Sequence, residues 1–230
     1  VSGNTAYLVG RQKKGEHLQE ILVAFDLSIG NKKWIRPLAK PYAEIRPAPP
    51  TVGPDGNLYV NSGRYTICFG NKEGFRTSDE GPIELWRREF ANYAVGSPCV
   101  TKKKLAIFLG EQRVNFRTDM YRMDLVSLDL DAEGQSLPTR MRRYKLKSFD
   151  FRHVAFNDVL MPFAQGGIIN FGYGNTVYGL DESRWRLAFA SPLQGRVFCL
   201  PNKMADGTFY FPTLEGYIHT LAPSVTLESW

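Results

Sequence analysis

The sequence predicts an all-β fold built from an iterated four-stranded antiparallel unit, and three observations predict it. Short apolar runs bounded by Gly, Asp, Asn and Pro recur along all 230 residues. Two stretches are near-copies: Asp55-Gly-Asn-Leu-Tyr-Val60 and Asp206-Gly-Thr-Phe-Tyr-Phe211 each place a tight turn before an apolar strand. An aromatic residue follows each hairpin, at Trp34, Trp86, Tyr144, Trp185 and Trp230, a recurrence of roughly 40 to 60 residues.

The elements follow in order. In the first unit Asn4–Val9 reads as a second strand, Leu22–Phe25 as the third, Asp26–Gly30 as a turn, and Trp34 as the start of the fourth; the opening strand is lacking. The second unit takes Pro50–Val52, Asp55–Val60, Tyr65–Phe69 and Glu84–Trp86. Ser97–Val100, Lys104–Leu109, Leu125–Leu130 and Met141–Tyr144 form the third. His153–Phe156, Gly167–Phe171, Asn175–Leu180 and a strand at Trp185 form the fourth. Arg196–Cys199, Asp206–Phe211, Gly216–Leu221 and Trp230 form the fifth. The units divide the chain at 1–38, 39–90, 91–147, 148–190 and 191–230, within one domain. Four polar stretches, 11–17, 71–82, 111–124 and 131–140, are expected as connectors between strands, either a contact surface or plain solvated loops.

A period of this length is the signature of a β-propeller, and propellers carry typically about 4 to 8 blades. The expectation is four full blades and one lacking its first strand, forming part of a larger ring. A chain that closes on Trp230, a residue that packs between blades, implies missing blades or a flanking domain.

Ala24, Asp26, Gly30 and Trp34 stand at the spacing A-x-D-x-x-x-G-x-x-x-W. That pattern resembles the tryptophan-docking motif of the quinoprotein-like, PQQ-type propeller repeat, with Ile29 where Thr is usual. The resemblance implies that the Trp packs between adjacent blades against the small Ala, while Asp and Gly fix the turn. Trp86, Trp185 and Trp230 are the corresponding residues of degenerate copies; the last retains the spacing as Thr220, Ala222, Thr226 and Trp230. The third copy keeps Asp129 and Gly134 with one extra residue between them, and in the fourth Asp181 is followed four residues later by Trp185.

A motif of this kind describes how a blade is held and names no activity. Quinoprotein dehydrogenases also use an adjacent cysteine pair, a calcium held by Glu and Asn, and an Asp base. Here Cys68, Cys99 and Cys199 are far apart, each in apolar surroundings, so buried structural thiols are expected. No catalytic residue is assigned and no cofactor is expected; PQQ and calcium belong only to the alternative of an oxidoreductase fragment whose cofactor-binding blades lie outside the chain. Asp129-x-Asp131-x-Glu133-Gly134 begins like a calcium loop, but Arg140 occupies the twelfth position, where a bidentate carboxylate is required. His17, His153 and His219 are isolated from one another and form no metal-ligating spacing.

The net charge of +6 and a pI near 9.2 suit a partner with an acidic surface, nucleic acid or anionic lipid, but the basic residues are scattered, as on a solvated basic surface, and a nucleic-acid partner is not expected. No apolar run reaches the roughly 18 residues of a membrane span. Along Arg140–Lys147, strand alternation puts Arg143, Lys145 and Lys147 on one face and Arg142, Tyr144 and Leu146 on the other. Such a cationic strip either meets an acidic protein or keeps an edge strand from pairing with other chains. The functional expectation is a non-catalytic scaffold for protein-protein interaction or complex assembly. The family resemblance implies an extracytoplasmic compartment, a bacterial envelope or an organelle lumen.

Overall fold

The computed structural model describes residues 2–38, 47–70, 76–77, 81–115, 118–131, 136–145, 149–150, 161–197, 201–204 and 206–221. Of the residues singled out by sequence, Glu133, Gly134, Leu146, Lys147, His153, Cys199, Ala222, Thr226 and Trp230 lie outside these, as do the expected strand at 153–156 and the last strand of the fifth unit.

The described residues form strands and turns with no helix. β1 (Thr5–Lys14), β2 (His17–Asp26) and β3 (Lys32–Pro37) make a three-stranded sheet in the order β1-β2-β3. β4 (Thr51–Val52), β5 (Leu58–Ser62) and β6 (Tyr65–Phe69) begin the second sheet. A two-stranded ribbon, β7 (Arg76–Thr77) and β8 (Gly81–Pro82), interrupts it before β9 (Glu84–Glu89) completes the order β4-β5-β6-β9. The third sheet runs β10 (Tyr93–Val100), β11 (Lys104–Asn115), β12 (Thr118–Asp129), β13 (Met141–Lys145), with β14 (Phe149–Asp150) added beside β12. β15 (Phe163–Gln165), β16 (Ile168–Tyr173), β17 (Thr176–Asp181) and β18 (Arg186–Pro192) form the fourth. β19 (Asn202–Lys203), β20 (Phe209–Pro212) and β21 (Ile218–Leu221) form the fifth. Every pairing is antiparallel, and apart from β14 beside β12 the strands of each sheet neighbour one another in the order in which the chain adds them.

Strand alternation turns these runs into two-sided sheets, and both sides are covered in the interior of the series. Leu58, Val60, Ile67 and Phe69 leave one face of the second sheet to pack on Tyr7, Leu22, Ala24 and Trp34 of the first. The intervening residues Tyr59, Cys68 and Trp86 leave the other face and meet Leu105, Ile107, Val126 and Leu128 of the third sheet. Ala106, Phe108, Met123 and Leu125 pack on Ile169, Phe171, Leu180 and Trp185 of the fourth. Val177, Phe163 and Phe189 then meet Phe209, Phe211 and Leu221 of the fifth. The molecule is therefore a series of antiparallel sheets in which each packs face to face on the next in sequence.

Polar contacts stitch the same junctions. Ser62 Oγ donates to Glu20 Oε2 at 2.5 Å, Asn61 Nδ2 to the Gly96 carbonyl at 2.9 Å, and Thr51 Oγ1 to the Pro98 carbonyl at 2.6 Å. β10 is buried along nearly its whole length, packed against β4, β5, β6 and β15. β3, β9, β13 and β18 each stand at the outer, last-strand edge of their own sheet's order.

Three expectations change. Of the stretches read as connectors, 11–17 and 111–124 are largely strand: β1 and β2 pair out to Lys14 and His17, and β11 and β12 pair out to Asn115 and Thr118. Arg11-Gln-Lys-Lys14 is polar because the hairpin extends past the core, where backbone pairing continues without apolar faces to bury. In the fourth sheet the first strand is Phe163–Gln165, joined to β16 by Gly166-Gly167, whose φ values of 58° and 77° suit a two-residue hairpin turn. In the fifth, Val197 makes an isolated bridge to Thr213 and the first strand follows at Asn202–Lys203, a little beyond the span expected.

Candidate functional site

The best-defined repeated feature is a row of three residues crossing each sheet. Ala24 of β2 stands opposite Trp34 on β3 and Tyr7 on β1, with a register shift directly after Ala24. Ala24 is fully buried and Trp34 nearly so; the Tyr7 and Trp34 rings lie 5.9 Å apart. The second sheet repeats the row with Cys68 between Tyr59 and Trp86, the same register shift, and the same 5.9 Å ring separation. A small central residue leaves the volume that the indole fills. Trp34 reaches the next unit at Gly81, where a β-carbon would sit 2.8 Å from the indole.

The fourth sheet has the row Asn170, Gly179 and Phe189, again with the register shift after the small residue. A β-carbon on Gly179 would lie 2.1 Å from the Phe189 ring, so glycine is required there by contact. Phe189, not Trp185, therefore occupies this docking position. Trp185 lies in the preceding turn at φ 54° and packs toward the third sheet, in the cluster with Phe108 and Phe171. In the third sheet the row reads Ala106, Ser127 and Arg142, and the Arg142 guanidinium donates to the Ser183 carbonyl of the fourth sheet's turn at 3.3 Å. The fifth sheet supplies Tyr210 and Thr220; its Trp230 is outside the described residues. Sequence reasoning missed the Tyr7 and Tyr59 partners, although the shared Tyr in Asn4-Thr-Ala-Tyr7 and Asn57-Leu-Tyr59 was a usable signal.

Asp26 and Gly30 form the turn expected of them. Asp26 Oδ1 accepts from the Ser28 amide at 2.9 Å and from the Ser28 hydroxyl, and Gly30, at φ 69°, donates its amide to the Asp26 carbonyl. Those Ser28 bonds, then Lys33, hold the Asp26 carboxyl well below the usual carboxylate range. Asp181 repeats the arrangement with the Ser183 amide and hydroxyl and the Arg184 amide, and its carboxyl is lowered too, first by the Arg184 amide. An aspartate accepting from its own downstream amides is a self-sufficient turn device.

The outer strands carry the charge. β3 contributes Lys32, Lys33 and Arg36, β9 contributes Arg87 and Arg88, β13 contributes Arg142, Arg143 and Lys145, and β18 begins with Arg186. Several of these are neutralised locally. Lys33 pairs with Asp26 at 3.1 Å, Arg87 with Glu84 at 2.8 Å, and Arg143 with the buried Asp124 at 3.3 Å. Met141, Arg143 and Lys145 are exposed while Arg142 and Tyr144 are half-buried, so the structure puts Arg143 and Lys145 on one face as alternation requires. Exposed Lys32, Lys145 and Arg186 make no ion pair among the described residues.

Reactive groups do not converge. Cys68 and Cys99 are buried thiols outside any disulfide; burial pushes the Cys99 thiol up to about 12 and the Cys68 thiol further still, so neither is a thiolate near neutrality. His219 bonds the Gln194 carbonyl at 2.9 Å. Among the described residues no group of three or more His, Cys, Asp or Glu side chains could hold a metal ion. A cleft of about 360 Å³ lies between the turns of the third and fourth sheets, lined by Lys103, Lys104, Gly166, Gly167, Asp181 and Glu182. Of its charged lining, Lys104 Nζ bonds Asp129 at 2.6 Å, Asp181 pairs with Arg184 at 3.7 Å, and Glu182 accepts from the Thr101 hydroxyl. No helix among the described residues is long and apolar enough to cross a membrane. The chain matches no family model, and no curated protein matches it in sequence.

Proposed function

We propose that the five sheets are consecutive blades of a quinoprotein-like β-propeller, and that the protein is a non-catalytic scaffold holding an acidic protein partner against its basic outer strands. The observation that carries this reading is the set of outer strands: β3 and β13 each hold three cationic residues and no acid, β18 opens on Arg186, β9 balances Arg87 and Arg88 with Glu84 and Glu89, and Lys32, Lys145 and Arg186 are exposed without a carboxylate partner among the described residues. The face-to-face sheets and the recurring small-residue and aromatic row support the propeller arrangement. Uncompensated surface charge adds little to folding stability but steers association with a surface of opposite sign.

The test is charge reversal at those three positions. Arg143 is left untouched, because a glutamate there would face the Asp124 carboxylate. The triple variant Lys32→Glu, Lys145→Glu, Arg186→Glu is expected to melt within a few degrees of the native protein and to lose the salt-sensitive partner captured from the source extract. An identical captured set, with identical salt dependence, would overturn the reading and leave edge protection as the role of the charges.

A further inference from the structure

The cleft between the third and fourth sheets has walls that are bonded to one another. Thr101, in the turn between β10 and β11, donates its hydroxyl to Glu182, and the Arg142 guanidinium donates to the Ser183 carbonyl at 3.3 Å. Within the fourth sheet the Glu182 amide donates to the Gly167 carbonyl at 2.9 Å, which ties the two turns that line the cleft. The 181–185 turn is fixed at both ends as well. Asp181 accepts from the Ser183 and Arg184 amides, and Trp185, at φ 54°, is anchored by a buried indole. Held this way, Glu182 meets a ligand with little ordering left to do.

The charged lining falls into two sets. Lys104 is engaged by Asp129, and Asp181 by the amides of its own turn and by Arg184. Lys103 is exposed and makes no ion pair among the described residues, and Glu182 takes a side-chain donor on Oε1 alone, from Thr101. One cleft is thus lined by a cation and a carboxylate oxygen that pair neither with each other nor with anything else described. A purely anionic ligand would face Glu182, and a purely cationic one Lys103; a ligand carrying both charges satisfies both. Beside them the positions where side chains would stand on Gly166 and Gly167 are open space, and Ile168, 8% exposed, gives the lining an apolar element. The volume of about 360 Å³ stands near the lower end of the range of small-molecule sites, about 300 to 1,000 Å³. We propose that this cleft binds a free amino acid with a small aliphatic side chain, its carboxylate on Lys103, its ammonium on Glu182 and its side chain against Ile168. The site stands independently of the outer strands.

The experiment titrates L-valine into the full chain and follows both the heat and the backbone amide resonances. Millimolar or tighter binding is expected, with the largest shifts at Gly166, Gly167 and Glu182. Lys103→Gln and Glu182→Gln are each expected to weaken it roughly tenfold or more, because each removes one charge-assisted bond. The lysine bonds nothing else through its ammonium, and glutamine still accepts from Thr101, so both variants should keep the native melting curve. Should Glu182→Gln fail to fold, Lys103→Gln carries the test alone. N-acetyl-L-valine lacks the ammonium and L-valinamide lacks the carboxylate; they stand for a peptide's C-terminus and N-terminus, and each is expected to bind at least roughly tenfold more weakly than valine. No binding up to tens of millimolar, shifts confined to other sheets, or affinity unchanged in Lys103→Gln would overturn the proposal. Equal affinity for either blocked compound would overturn it too, since a single charge would then be what the cleft reads.

Discussion

At Gly81 the first junction, and at Gly179 the packing within the fourth sheet, depend on the absence of a single carbon atom. Trp34→Ala removes a buried indole from the first junction and is expected to destabilise the protein by about 3 to 5 kcal/mol, read from denaturant midpoints. A loss below about 1 kcal/mol would mean that the indole is not packed. Gly179→Ala tests the fourth sheet by the opposite route, overpacking against Phe189, with an expected loss of about 1 to 3 kcal/mol. Neutrality there would show that Phe189 can swing away. Glu20 gives a pH test. Burial, opposed by the Ser62 hydroxyl and by Arg11, raises its carboxyl above the ordinary 4.5. The protonated acid is thus favoured in the folded state, so this contribution is fully present below about pH 4.5 and is lost as pH rises through the raised value. Relative to Glu20→Gln, the native protein should lose stability over that window, and parallel stability curves for the two proteins would contradict the assignment. The Ala24 to Trp34 motif was legible because its small residue, turn and indole follow one another along the sequence. Phe189 was not, because pairing it with Gly179 depends on a register shift that spacing alone does not reveal, and Trp185, sitting nearer the turn, offered the more conspicuous aromatic.

Among the elements, the turns carry the clearest sequence record. Asp55-Gly56 and Asp206-Gly207 were read as the same device, and they are: each aspartate accepts from the amide two residues on, and each glycine amide returns to the carbonyl three residues back. Gly56 and Gly207 stand at φ 83° and 87°, conformations in which a β-carbon is strained. Gly207→Ala is accordingly expected to destabilise by about 1 to 2 kcal/mol. Gly10, within β1 and with open space around it, provides the contrast: Gly10→Ala should be neutral or stabilising by up to about 1 kcal/mol, since it narrows the unfolded ensemble alone. Similar losses at both sites, measured by thermal unfolding, would remove the conformational argument. Polar strand extensions were the unreadable elements. Along Arg11–Lys14 no apolar alternation survives, and backbone pairing, which leaves no mark on composition, is what keeps the hairpin extended.

For the whole molecule, chain-order pairing and the alternation of buried faces made the all-β architecture legible, because each strand of the interior sheets must satisfy two neighbouring sheets at once. The docking partner of each aromatic lies in the next unit, tens of residues away, so it had to be seen. The central claim is that the first four sheets each pack forward on their successor, the first, second and fourth through the small-residue and aromatic row. Side-chain nuclear Overhauser contacts in the native protein test it most directly. The account predicts contacts from Trp34 to Gly81, from Trp86 to Leu105 or Val126, and from Phe189 to Phe209 or Phe211, with Trp185 instead contacting residues such as Phe108 and Phe171. Contacts from Trp185 to Phe209 and Phe211, with none from Phe189, or a Trp34 indole that touches only its own sheet, would contradict it.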